Sequence, residues 1–169
     1  MEFMKTAEKN KYYNFRNSLF ECVTQGMTMV INNATRKVIV ENRPKKCLFH
    51  DWWTYMICSG MGKVIYDNES LVKYRRHNKS VTVEGKSKIQ LFKWRIKEFI
   101  LGESLKEIKG QWLEYKSLFY DRLNEEDKKV LDLFCNKKRI MKKVFYPKKL
   151  RRKKLDDLSV RLLMLFRML

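Results

Sequence analysis

Apolar residues at three- and four-residue steps dominate the second half of the chain. Leu105, Ile108, Trp112, Tyr115 and Phe119 fall on one helix face, and Ile89, Phe92, Ile96 and Phe99 do the same ahead of them. Such steps more often mark a core than a ligand site, and these predict core. Asn124 followed by Asp127 predicts a helix cap before Val130, Leu131 and Phe134. The last stretch puts Leu155, Leu158, Leu162, Leu165 and Leu169 on one helical stripe. The first half has shorter periods. Residues 1–20, polar with aromatic insertions, predict a helix ending near Phe20. "GMTMVIN", 26–32, reads as a short buried strand between Gly26 and the turn-prone Asn32-Asn33. "RKVIVEN" is a further strand or a helix turn; so short a run does not decide. "NRPKK" is a loop. "HDWWTYMICSGMG" has helix length, with Asp51 placed to cap it and Gly60 and Gly62 to stop it. "KVIYD" and "LVKYRR" read as strands joined by the turn "NES". The character changes after Gly85, which divides the chain into a mixed α/β part, 1–85, and a helical basic part, 86–169.

Composition narrows the partners. The chain has 169 residues, 44% of them apolar, which is enough for one packed domain. Lys and Arg number 38 against 19 Asp and Glu, for a formal charge of +19. That excess predicts an anionic partner: nucleic acid, nucleotide phosphates or an acidic membrane surface. Residues 137–154 hold eleven Lys or Arg and no acidic residue. The start of the chain lacks the apolar stretch of a signal peptide, and no apolar run has membrane-spanning length. Cys22, Cys47, Cys58 and Cys135 form no C-x-x-C pair, and scattered thiols fit a reducing cytosol better than a disulfide framework. Cys47 and His50 are spaced as half a zinc site, without a second half.

"FHDWWTYM", 49–56, sets a carboxylate against two of the four tryptophans. From the residues alone, two readings stand. Asp51 caps a helix whose faces are core, or it is a polar group held at the edge of a cleft. Arg75, Arg76 and His77 form a second constellation, either an exposed basic strand end or an anion site. The buried-looking strand at 27–32 has no strand partner before it, and a strand buried on both faces belongs to a larger sheet. A preceding part is therefore expected.

Four short motifs in order resemble the catalytic C-terminal half of family 2 glycosyltransferases of the GT-A fold. The resemblance is closest to bacterial enzymes that add rhamnose or similar sugars to cell-surface polysaccharides. They are Gly26-Met27-Thr28-Met29-Val30-Ile31-Asn32, His50-Asp51-Trp52-Trp53, Gly62-Lys63-Val64-Ile65-Tyr66-Asp67 and Tyr74-Arg75-Arg76-His77. The likeness covers roughly residues 14–85. It implies a partial GT-A α/β fold lacking its N-terminal nucleotide-binding half, followed by a mainly α-helical basic region. Asp51 matches the family's catalytic base, which takes a proton from the acceptor hydroxyl in an inverting transfer. His50, Trp52 and Trp53 would shape the acceptor pocket, flat rings suiting the C–H faces of sugars. Arg75, Arg76 and His77 would lie by the donor diphosphate, which two arginines suit by charge and forked geometry. His77 would also reach a divalent metal, Mg or Mn, in the intact enzyme. The Asp-x-Asp that holds this metal in the family is absent, and Asp156-Asp157 is a poor substitute. The chain alone is thus expected to bind no metal and transfer no sugar. Implied partners are a nucleotide-sugar, a glycan or lipid-linked acceptor, and a separate chain carrying the missing half. The implied location is cytoplasmic, at the inner face of the plasma membrane.

The tail is open between two readings. A basic run followed by a leucine-striped helix forms a membrane-surface anchor, or it packs on the body of the protein. The rival outside enzymology is a basic helical protein that binds nucleic acid or a membrane without catalysis. Charge supports the nucleic-acid version, yet no recognised motif does, and specific nucleic-acid binding is not expected.

Overall fold

The computed structural model describes residues 2–3, 13–67, 69, 72–74 and 104–169. Among them lie α1 (Phe15–Ser18), α2 (Asn33–Glu41), α3 (His50–Met61), α4 (Ser104–Phe119), α5 (Glu125–Cys135), α6 (Ile140–Val144) and α7 (Lys154–Leu165). Single 3-10 turns occupy Gly26–Thr28 and Tyr120–Arg122. Strand pairing among these residues is limited to β1 (Glu2–Phe3) against β2 (Lys73–Tyr74), antiparallel, with Glu2 opposite Tyr74.

The expected α/β portion is overturned, while the described residues of the C-terminal part, 104–169, are helical as expected. The run 26–32 is a 3-10 turn followed by extended chain, and Val30 is 98% exposed. A strand needs neighbouring backbone for its N–H and C=O groups, and no strand pairs with this run among the described residues. "RKVIVEN" falls within α2, because the Asn32 side chain accepts the Thr35 N–H at 2.8 Å and caps a helix there. Residues 63–67 are irregular; Asp67 closes a local turn by accepting the Glu69 N–H at 2.9 Å. The helical stretch Ile89, Phe92, Ile96 and Phe99 lies outside the described residues. Of the helix expected over 1–20, Glu2–Phe3 is instead strand β1, residues 4–12 lie outside the described residues, and only the four residues of α1 are helical.

The two parts of the sequence share one core. α1 has four residues, too few to be stable alone, and its last carbonyls are taken up by indoles from two other helices. Trp52 Nε1 of α3 donates to Ser18 O at 2.5 Å, and Trp112 Nε1 of α4 donates to Leu19 O at 2.7 Å. Phe15, Phe20, Trp53, Tyr115, Phe119 and Phe134 fill the space between, with edge-on packing such as Phe20 on Phe134 at 4.7 Å. The predicted face of α4 is the buried face: Leu105, Ile108, Trp112, Tyr115 and Phe119 are all core. α5 starts as expected, with Asn124 accepting the Asp127 N–H at 2.9 Å. Gly60 does not stop α3 but lies within it. A Cβ there would collide with Tyr115 Oη and crowd Phe15 and Leu123, so glycine lets α3 and α4 approach closely. Gly62 is the residue that ends the helix.

One polar hub ties the basic tail to this core, and a second braces the tail internally. Glu21, only 7% exposed, accepts from the Arg152 backbone N–H at 3.0 Å and Nε at 3.1 Å. Asp157 accepts from the Leu150 N–H at 2.6 Å and from Arg161 Nε at 2.9 Å, while Arg161 donates on to Val144 O and Tyr146 O. Burial opposes the charge on Asp157, but these donors hold its carboxyl below the usual range. Asp157 is therefore a structural anchor of the tail. α7 ends with Arg167 in the left-handed region, φ 59°, its N–H bonded to Met164 O while Met168 N–H reaches Leu163 O. Glycine is the usual residue there, and a side chain costs about 1–2 kcal/mol.

Candidate functional site

α3 carries the polar end of "HDWW". Its N-cap is Phe49, so Asp51 lies in the first turn and is not the cap that the sequence predicts. Asp51 is half-buried, and its Oδ1 accepts the Trp52 N–H at 2.8 Å. A carboxylate there also faces the positive end of the helix dipole. Its backbone carbonyl accepts a long bond, 3.4 Å, from Thr24 Oγ1. The Asp51 charge is felt by two thiols. Burial first, and Asp51 second among the raising influences, push Cys22 and Cys47 up. The His50 ring is exposed and lies against Gly26, where any Cβ would strike its Nε2. The first two sequence motifs therefore meet.

A groove of about 510 Å³ runs beside α3. Residues 23–31 form one wall and residues 63–67 the other, with Tyr55 and Cys58 of α3 between them. Residues of the first and third motifs thus line one concavity, which α3 borders through Tyr55 and Cys58; His50, Asp51, Trp52 and Trp53 do not line it. Tyr13 and Tyr66 stack on each other there at 5.6 Å and 17°. The Tyr66 hydroxyl is buried and has no hydrogen-bond partner among the described residues, and burial, reinforced by Tyr66, pushes the Tyr13 phenol up. Sequence reasoning missed this pair: Tyr66 stands in the third motif, but Tyr13 lies far from it in the chain and in no motif.

The two tryptophans require a correction. Trp52 is 8% and Trp53 2% exposed, and both are core. Neither has a free ring face for an acceptor sugar. Trp53 packs against Tyr115 and Phe119, and its indole N–H has no acceptor among the described residues. The two should therefore differ on substitution. Trp52→Phe leaves the Ser18 carbonyl buried without its donor and should cost about 1–3 kcal/mol beyond the packing change. Trp53→Phe removes a buried donor that has no partner and should cost less than Trp52→Phe. Denaturant melts of the two variants check the order.

Arg75, Arg76 and His77 lie outside the described residues. Among those described, no three His, Cys, Asp or Glu side chains come close enough to hold a metal ion. Cys47 donates to the Phe49 carbonyl and His50 faces Gly26, so the half zinc site does not close. The described residues do not fit a divalent-metal site. All four cysteines are free, and no helix among the described residues is long and apolar enough to cross a membrane. No family profile, curated protein or solved structure matches the chain.

Proposed function

We propose that the chain is the acceptor-side portion of a family 2 glycosyltransferase acting with a separately supplied nucleotide-binding half. Asp51 takes the proton of an acceptor hydroxyl while that oxygen bonds to the anomeric carbon of a nucleotide-sugar. The bond to the nucleoside diphosphate breaks on the opposite face, so the product is inverted. Arg75, Arg76 and His77 neutralise the departing diphosphate. The sugar is rhamnose or similar, and the acceptor is a polysaccharide or lipid-linked glycan. Cytoplasmic location belongs to this reading and agrees with the free thiols.

The observation that carries the reading is that the first motif meets the second where His50 lies against Gly26, and meets the third across a groove that α3 borders through Tyr55 and Cys58. The residues around it also support a missing partner. Val30 is 98% and Ile65 80% exposed, and Met27, Ile31 and Val72 join them on the same groove. A contiguous apolar patch left in water marks a surface that another body covers.

The test is complementation. The 169-residue chain alone should transfer no sugar from a labelled nucleotide-sugar. Mixed with a βα nucleotide-binding segment carrying Asp-x-Asp, it should transfer, and Val30→Asp with Ile65→Asp should abolish the gain. Robust turnover by the chain alone would overturn the split reading.

A further inference from the structure

We infer that α7 docks on an anionic membrane surface, its leucine face entering the headgroup boundary with cations around its C-terminal end. This does not depend on the glycosyl-transfer reading. α7 buries Val160 and Met164 against the body of the protein. Its opposite side is in water: Leu162 is 46% and Leu155 78% exposed, with Leu158, Leu165 and Phe166 also exposed. At roughly 100° per residue these five fall within one arc about 100° wide. That is the width of a stripe built to bury itself. Leu169, placed on the same stripe by sequence, instead turns into the core.

The chemistry around this face says what covers it. A groove of about 540 Å³ joins the end of α7 to the start of α6. Leu165 and Met141 form its apolar lining, and Lys138, Arg139, Lys142 and Arg167 surround them. Arg167 holds a left-handed backbone that glycine adopts more easily. An arginine there keeps a guanidinium at the groove despite that strain. A second copy of the chain is a poor occupant, because a +19 protein would bring cations against cations. A nucleic-acid backbone meets the cations but gives the leucines nothing apolar. An anionic bilayer supplies both an acyl boundary and negative headgroups.

The experiment is co-sedimentation of the full chain with vesicles of phosphatidylcholine plus phosphatidylserine, and with phosphatidylcholine alone. Binding should be strong on the mixed vesicles, weaken with salt, and fall on the neutral ones. Leu158→Ser with Leu162→Ser should weaken it about tenfold or more. Both positions are already in water, so the fold should persist, as far-ultraviolet dichroism and melting would report. Lys138→Ala with Lys142→Ala should weaken it as well and flatten the salt dependence. Equal binding by the leucine variant would mean adsorption by charge alone and would overturn the inference. So would absence of sedimentation by folded protein, whether accompanied by a dimer that the leucine variant dissolves or by oligonucleotide binding that survives physiological salt.

Discussion

Trp112→Ala should take away a large share of the stability of the folded chain. Trp112 is 1% exposed and stands where α1, α4 and α5 meet, with Phe20 edge-on at 5.1 Å and Phe134 at 6.4 Å. Truncating a buried tryptophan costs about 3–5 kcal/mol through lost transfer energy and the remaining cavity. The change also leaves the Leu19 carbonyl without the indole donor that closes α1, which adds about 1–3 kcal/mol. A domain holds roughly 5–15 kcal/mol in total. Trp112→Phe keeps much of the volume and loses the donor, so it should sit between parent and alanine variant. Urea melts followed by tryptophan fluorescence and dichroism check the order. An alanine variant that melts with the parent would mean that the helices are not joined through this residue.

Trp112 also shows which parts of the fold could be read in advance. α4 and α5 are long, and their apolar residues keep a helical step over several turns, so burial followed from periodicity. The cap at Asn124 was legible because its side chain bonds only three residues on. The run 26–32 was not legible, since Val30 and Ile31 read as a buried strand only if other strands flank them. Among the described residues none does, and they stay in water. Asn32 reads as a turn residue but caps α2, because an Asn suits both roles. In α7 the period was right, but periodicity does not say which face meets the protein. Val160 and Met164 take that place, and four of the five stripe leucines face outward.

The candidate site was legible to the same degree. "HDWW" stood out for its composition, and its helix is there. The spacing could not show that both indoles serve the C-terminal end of α1 and the α3–α4 contact. Nor could it bring Tyr13 beside Tyr66, which stack only in the folded chain, at the groove that both line. The position of Asp51 was off by one turn role: it lies inside the first turn, where Phe49 is the cap.

The central claim is that Asp51 is a base and not only part of a helix start. In the chain joined to a nucleotide-binding half, Asp51→Asn is the decisive substitution. Asparagine keeps a side-chain oxygen that can accept the Trp52 N–H, now at 2.8 Å. It loses only the charge facing the helix N-terminus, worth about 0.3–1 kcal/mol. It cannot take a proton from an acceptor hydroxyl at neutral pH, and loss of a general base lowers rates by about 100- to 10,000-fold. Turnover and melting temperature should be measured on one sample. Near-complete loss of transfer with melting almost unchanged is the expected result; an Asn variant that transfers sugar like the parent would contradict the catalytic assignment and leave Asp51 as a helix-start residue.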